Sequence, residues 1–524
     1  MTNLVPLVPF CAFLWQRLLS MTGAVPKDAA AIILLRQDTD LENPEVFWVK
    51  RSDKLAFLGG FHAFPGGQID ASDAEVDVQN SPDAATATMI SGAARELFEE
   101  LGVLAVHGGE TLTKGQRASI LDDLESGRMS WPALLKHYEL HLDANDFTYV
   151  GRWVTPPFNA RRFDTWFFLV NCPPKQEPYL TAGELDDGEW IKASDAYERW
   201  LSDKVVAVPP TLHALRTLAS GVTPTLVERF LSLRHAQGEV ARRITFRPNY
   251  LCFPVRTPTR PPATHTCCYL IHTSTEFLIV DPGSPYEDEQ QALAECVDEM
   301  IAEGRKPREI IITHLHPDHI GGVNALKAHL GGTIPVAAHR KTAEAMTDVH
   351  VDRYIEDLDV ITLAGEPRIE LKVLHTPGHA LGHLCFYDAD RGALLTGDNI
   401  VGVGSVLIDP PEGNMRDYLN SLERMRSLPN LSVLFGGHGP AVATPYKKID
   451  EYISHRLERE RNILEAVREG ATDPRQIVAK VYTDVSPKAY PMAERAVLAH
   501  LEKLLEDGAV VANDDGLWLP APSN

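Results

Sequence analysis

The run T-H-L-H-P-D-H-I-G-G places His314, His316, Asp318 and His319 within six positions. Imidazole and carboxylate are good ligands for zinc, and also for iron or manganese. The run follows the apolar stretch R-E-I-I-I-T, so it should sit in a loop at a strand's end. His314 and His316 can point one way from such a loop while Asp318 and His319 turn the other. Four such groups cannot complete the shells of two metals, but further candidates stand downstream. His379 lies in H-T-P-G-H-A-L-G-H, Asp398 in L-L-T-G-D-N and His438 in L-F-G-G-H-G-P. Each follows an apolar run and sits in a glycine-rich turn where backbone can approach an ion. Seven candidate ligands at four strand ends point to a two-metal site. Two cations sharing a water stabilise hydroxide near neutral pH, which implies metal-assisted hydrolysis. Asp318 can orient that hydroxide as well as bind metal.

A second group of acids lies in A-A-R-E-L-F-E-E-L-G-V, residues 93–103. Glu96, Glu99 and Glu100 are spaced i, i+3 and i+4, so they share one helix face. Carboxylates that close repel one another unless a cation sits between them. Arg95 can pair with Glu99 one turn away, and Leu97 faces away toward a core. The ordinary alternative is a solvated charged helix face.

These residues need several elements to position them. The chain has 524 residues, which suggests two to four domains. Apolar residues make up 44% and charged residues 23%, as in an ordinary globular protein. The net charge of -22 repels polyanions on average, so nucleic acid would need a local basic surface or a metal site. Seven cysteines form no C-x-x-C pair, which excludes a zinc-cysteine site and a disulfide framework and implies a reducing compartment, the cytoplasm. The apolar stretch L-V-P-L-V-P-F-C-A-F-L-W near the N-terminus has the length of a signal peptide but no basic start. It reads as a loose leader, or Met21 as an alternative start. Nothing else resembles a transmembrane helix, so no membrane association is expected.

Strands are expected over 29–36, 45–50, 148–154 and 165–170, and helices over 88–101 and 205–230, the first capped by Gly102. The proline-rich stretch F-R-P-N-Y-L-C-F-P-V-R-T-P-T-R-P-P-A-T-H-T, residues 246–266, reads as a seam. Beyond it, strands 267–272, 276–281 and 309–313 alternate with a helix over 288–304, an α/β pattern that continues to about 440. The last part reads as three helices and a hairpin with a D-D-G turn, a winged-helix plan. Three units follow, at roughly 22–235, 240–446 and 447–524.

Residues 248–446, with the ordered motifs H-x-H-x-D-H, T-P-G-H, G-D and G-H-G, resemble the metallo-β-lactamase superfamily. The resemblance implies an αββα sandwich holding two zinc ions, or iron or manganese. One metal would take His314, His316 and His379, the other Asp318, His319 and His438, and Asp398 would bridge them. Asp281, in I-V-D-P-G-S, would brace the site by hydrogen bonding, with His375 and His383 structural. The motifs do not choose between thioester, lactone, lactam and phosphodiester. The long charged helix 447–468 and the ending after it resemble the β-lactamase-like-protein-2 branch, described as endoribonucleases acting on single-stranded RNA. Arg456, Arg459 and Arg461 would then contact phosphate, although Arg interleaved with Glu458 and Glu460 usually makes a salt-bridged helix face.

Residues 25–220 resemble a Nudix hydrolase of the coenzyme A diphosphatase-like group, an α/β/α sandwich. Arg95 to Val103 match the second half of the Nudix box fully. The first half departs: Asp73 stands where a glutamate is usual, and the gap to Arg95 is longer. R-R-F-D-T-W-F-F (161–168) and V-P-P-T-L (208–212) support the likeness. It implies Mg²⁺ or Mn²⁺ on Glu96, Glu99 and Glu100, with Glu96 and Glu100 in catalysis. Glu184 or Glu189 would add a carboxylate, and Arg161 and Arg162 would bind phosphate. The overall expectation is a fused hydrolase acting on a small thioester or ester. Single-stranded RNA is the rival substrate, and a purely nucleotide-sensing Nudix-like unit is a third reading.

Overall fold

A computed structural model describes residues 24–109, 112–181, 183–483 and 486–522. The apolar stretch before Met21 lies outside the described residues. The first sheet is built on strand Lys27–Leu35, whose run A-A-A-I-I-L-L is buried on both sides. It pairs in parallel with Phe163–Asn171, from Lys27 opposite Phe163 to Leu35 opposite Asn171. On its other side it meets Glu45–Arg51, which in turn pairs with Leu185–Lys192. Alternation of side chains sends Ala30, Ile32 and Leu34 to one core and Ala31, Ile33 and Leu35 to the other. Helix Ala84–Leu101 covers the first face with Leu97 and Phe98, and helices Ala193–Leu201 and Pro209–Leu218 cover the second. Both faces are covered, as parallel pairing requires.

The second unit stacks two sheets. A seven-stranded sheet runs from Ile244–Arg247 through to Arg353–Tyr354, and a five-stranded sheet from Val360–Leu363 to Val433–Gly436. Leu278 and Val280 meet Leu371 and Val373 between the sheets. Phe277 and Ile279 face outward onto helix Glu287–Ala302, and Leu374 faces helix Met415–Arg426. The result is a four-layer αββα sandwich. Helices Pro445–Arg468, Pro474–Val481 and Tyr490–Glu506 then pack with hairpin Val510–Pro520 around Ile477, Val497 and Trp518, the expected winged-helix plan.

Two expectations need correction. The segment 205–230 is not one helix: it breaks after Leu218 and resumes at Leu226, because G-V-T-P intervenes. The stretch 246–266 is not a seam. It carries strand Tyr250–Arg256, inside the second unit's sheet. Pro254 is tolerated there because the neighbouring strand Ile244–Arg247 pairs only with Tyr250, Leu251 and Cys252, leaving Pro254 on an open edge.

The first two units are docked tightly. Phe61, Phe158 and Val206 join the inter-sheet core of the second unit, and Trp200 Nε1 donates to Phe246 O at 3.0 Å. A polar chain crosses the contact. Asp203 lies 3.5 Å from the buried Arg247 guanidinium and 3.6 Å from Arg391, which pairs with Asp388 at 3.1 Å. Asp388 also accepts from the Tyr250 hydroxyl at 2.7 Å. Removing one partner of a buried pair strands the other. Asp203→Ala should therefore cost about 3 kcal/mol in denaturant unfolding, and an added Arg247→Met change should recover part of that loss.

Candidate functional site

The seven predicted ligands come together at one end of the αββα sandwich. His314, His316, His379 and Asp398 form one group, and Asp318, His319 and His438 a second. Each segment leaves a strand just before its ligand: Lys306–Ile311, Ile369–His375, Ala393–Gly397 and Val433–Gly436. Strand ends aim the residues, and glycine lets them approach. A Cβ at Gly437 would stand 2.3 Å from Asp398 Oδ1 and 2.8 Å from the His319 ring.

Hydrogen bonds assign the imidazole nitrogens. Thr313 Oγ1 gives its proton to Asp281 Oδ2 at 2.7 Å, so Thr313 Oγ1 itself accepts from His314 Nδ1 at 2.9 Å. His319 Nδ1 donates to Asp281 Oδ2 at 2.8 Å, His379 Nδ1 to Leu407 O at 2.9 Å and His438 Nδ1 to His265 O at 2.8 Å. Four Nε2 atoms therefore face the cluster. His316 is turned round: its Nδ1 lies 3.0 Å from both His314 Nε2 and His379 Nε2. Asp398 touches both groups, with Oδ1 3.3 Å from His319 Nε2 and Oδ2 3.2 Å from His438 Nε2 and 3.7 Å from His379 Nε2.

The donor set fits two cations. Among the described residues, His319 Nε2 and Asp398 Oδ1 are buried with no hydrogen-bond partner beyond their own 3.3 Å approach, a costly arrangement unless an ion takes them. Burial holds His314 well below the usual imidazole range and brings His379 down to about 4, so both are neutral donors. Burial also works against protonating His438, yet Asp398 prevails and raises it to about 9. The cluster thus attracts positive charge from whatever supplies it.

The flanking residues sort as anticipated from the motifs. Asp281 accepts from Thr313 N at 2.8 Å besides its other two partners, and so braces the loop. Both His383 nitrogens are engaged: Nδ1 lies 3.0 Å from Thr376 Oγ1, and Nε2 accepts from Asp398 N at 3.2 Å. His375 donates to Leu381 O at 2.9 Å and stacks on His339. Sequence reasoning missed Thr313, which assigns the His314 tautomer, and Glu412, whose Oε2 lies 3.6 Å from His316 Nε2. The only hint of Glu412 was an acid in the Pro-Gly loop D-P-P-E-G between two ligand motifs.

On helix Ala84–Leu101, Glu100 is buried while Glu96 and Glu99 are half-buried. Arg95 gathers them. It binds Asp73 through two nitrogens at 3.0 and 2.9 Å, Glu96 at 3.0 Å and Glu99 at 2.8 Å. Asp73, the departure noted in the sequence, is fully buried and supplies a bidentate partner for the arginine. Glu100 accepts from Gly66 N at 2.9 Å. The Glu96 carboxylate fills the space a Cβ would take on Gly67, only 2.5 Å away. These three glutamates do not form a third convergent ligand cluster among the described residues.

Gly66 and Gly67 also floor a cavity of about 370 Å³. Arg51, Arg161 and Glu184 line it, as do Phe163 and Pro209 from the two quoted segments. The second unit closes one end with Ala241, Ile244 and Phe246. Arg162 instead donates to Thr155 O at 2.8 Å, and Glu189 pairs with Arg199, so neither serves the cavity. In the C-terminal unit, Arg456 is buried on Val406 O and Arg459 donates to Val481 O at 2.7 Å, while Arg461 is exposed. No described helix is long and apolar enough to cross a membrane.

Two outcomes follow from these geometries. Asp398→Ala should lower metal content from two ions per chain to less than one by elemental analysis, because both groups share that carboxylate. In the first unit, burial raises Glu96 to about 7, and burial together with Glu96 raises Glu100 to about 8. The folded chain therefore holds protons that the unfolded chain releases between about pH 4.5 and 8, so stability falls as pH rises through that window. A divalent cation replacing those protons should raise the melting temperature more at pH 8 than at pH 5, and Glu100→Gln should flatten both responses.

Comparison with known proteins agrees with this architecture. The profile of the metallo-beta-lactamase superfamily matches residues 262–438, and that of the beta-lactamase associated winged helix domain residues 474–518. The Beta-lactamase-like protein 2 homolog of Caenorhabditis elegans is 30% identical over 247 residues, 47% of this chain and 80% of that protein. An atrochrysone carboxyl ACP thioesterase of Aspergillus chevalieri is 30% identical over 255 residues, 45% of this chain and 75% of the relative. A solved NUDIX hydrolase from Alicyclobacillus acidocaldarius is 32% identical, covering 40% of this chain and 97% of its own, with a TM-score of 0.33. Matching motifs, an αββα sandwich and a convergent His/Asp cluster lead to one conclusion: the chain belongs to the metallo-β-lactamase superfamily, as a metal-binding hydrolase followed by that superfamily's associated winged-helix domain.

Proposed function

We propose that the His/Asp cluster hydrolyses a small thioester or ester. The observation that carries this reading is the contact of Asp398 with both ligand groups, which fits a dinuclear centre. His314, His316 and His379 would hold one ion, Asp318, His319 and His438 the other, with Asp398 between them. When bound, such ions would supply an ionised water near neutral pH and charge to stabilise the oxyanion of an attacked carbonyl. Asp318, whose Oδ2 lies 3.5 Å from His438 Nε2, orients the attacking water and takes its proton. That proton then goes to the leaving thiolate or alkoxide. Asp281 and Thr313 keep the imidazoles aimed throughout, so little reorganisation is needed during the reaction.

A thioester is favoured over RNA by three facts. One relative with 75% of its length covered carries the name thioesterase. The net charge of -22 disfavours a general polyanion binder. Two of the three arginines that sequence reading offered to phosphate are spent on backbone carbonyls.

A second reading concerns the first unit, as a Nudix-type diphosphatase for a nucleoside diphosphate-linked compound such as coenzyme A. The cavity floored by Gly66 and Gly67 favours it, since Glu100 accepts from Gly66 N and the Glu96 carboxylate lies against Gly67. Glu96, Glu99 and Glu100 would hold Mg²⁺ or Mn²⁺, which would supply charge to neutralise a diphosphate and activate water. Arg161 and Arg51 line the same cavity and would bind the phosphates, while Phe163, Ile244 and Phe246 would pack the organic arm. A coenzyme A-handling unit would suit acyl-thioester chemistry next door.

Assays of the full chain separate these readings. Acyl-coenzyme A should lose its acyl group, and Asp398→Ala should slow that step roughly 100-fold or more while diphosphate cleavage of coenzyme A persists. Cleavage of single-stranded RNA without thioester turnover would replace the first reading with an endoribonuclease. Tight coenzyme A binding without cleavage would make the first unit a sensor.

A further inference from the structure

Each cluster imidazole has one nitrogen facing inward and one facing out. Four outward nitrogens have a hydrogen-bond partner: Thr313 Oγ1, Asp281 Oδ2, Leu407 O and His265 O. The fifth belongs to His316, which alone presents Nδ1 inward and Nε2 outward. The group facing that Nε2 is Glu412, with Oε2 at 3.6 Å. Its other oxygen, Oε1, is buried and has no hydrogen-bond partner among the described residues, so no other described donor claims the carboxylate.

Glu412 is not on a loose loop. Gly413 N donates to Asp409 O and Asn414 N to Gly378 O, each at 2.8 Å, the latter tying the loop to the residue before His379. The same stretch supplies Leu407 O to His379 Nδ1. Its outer side is held by the C-terminal unit. Arg495, on helix Tyr490–Glu506, binds Asp409 Oδ1 at 2.5 Å and also Pro410 O, while Arg456 reaches Val406 O. Residues 406–414 thus form a collar around one ligand group, with the winged-helix unit fastening it.

We propose that Glu412 is a positioning residue for His316, accepting Nε2–H and so keeping the lone pair on the inward Nδ1. The C-terminal unit acts through Arg495 by holding Glu412 in place. This rests on the reading of the cluster as a dinuclear metal site. A carboxylate behind a metal-binding imidazole fixes its tautomer and raises its basicity, and losing such a partner typically weakens metal binding about 10–100-fold. The effect should be confined to the ion held by His314, His316 and His379, since the imidazoles found near Glu412 among the described residues, His316 and His379, both belong to that group.

The test is a metal titration of the stripped full chain with Co²⁺ and Zn²⁺ against a chelator of known affinity, following cobalt absorption. Glu412→Leu removes the acceptor, Glu412→Gln keeps an acceptor oxygen, and Arg495→Leu frees the collar. The expected result is two ions in the wild type, with one site weakened about 10–100-fold in Glu412→Leu, less in Glu412→Gln and Arg495→Leu, and its cobalt spectrum altered. Two ions with wild-type affinities in both Glu412→Leu and Arg495→Leu would overturn the proposal while leaving the dinuclear reading standing. Fewer than two ions in the wild type would overturn the dinuclear reading and the proposal with it. Circular dichroism of each metal-free variant separates loss of a site from loss of fold.

Discussion

The catalytic unit is organised around one electrostatic demand. Ligand atoms from four distant chain segments converge on a buried space in which, among the described residues, His319 Nε2 and Asp398 Oδ1 have no hydrogen-bond partner beyond their own 3.3 Å approach. Such a gathering is costly unless cations occupy it. The surrounding structure bears that cost in recognisable ways. Strand ends carry the ligands, glycine at Gly437 admits Asp398 beside the His319 ring, and each histidine except His316 has its outward nitrogen hydrogen-bonded. Asp281 anchors two of them, one directly and one through Thr313.

The first unit meets the same kind of demand with a different solution. Arg95 binds Asp73, Glu96 and Glu99 together, so one buried guanidinium already balances part of the acidic cluster. Glu100 is left to Gly66 N, and burial pushes it up to about 8. Ile244 and Phe246 of the second unit join the lining of the cavity floored by Gly66 and Gly67, so the docking of the units shapes that space. The Asp203–Arg247–Arg391 contact keeps that docking in register.

Much of the site was legible because local sequence determines it. A metal-binding residue at a strand end needs an apolar run before it and glycine around it, and both show in R-E-I-I-I-T-H-L-H and L-F-G-G-H-G. Glu96, Glu99 and Glu100 showed themselves through helical spacing, and the Gly102 cap appears with a left-handed backbone. What was not legible depends on distant partners. Pro254 reads as a breaker until its strand is seen to have an open edge. Asp73 looks like a lost glutamate until Arg95, 22 positions away, is seen to grip it. Glu412 has no periodic or spacing signal at all, and its relation to His316 exists only in space. The break between Leu218 and Leu226 was written in G-V-T-P, a signal present but overruled by apolar periodicity.

The most direct test of the central claim is anomalous diffraction from crystals of the full chain grown with zinc, recorded at the zinc edge. Two peaks are expected, one among His314, His316 and His379 and one among Asp318, His319 and His438, with the Asp398 carboxylate between them. A single peak, or none at these residues, would contradict the dinuclear account.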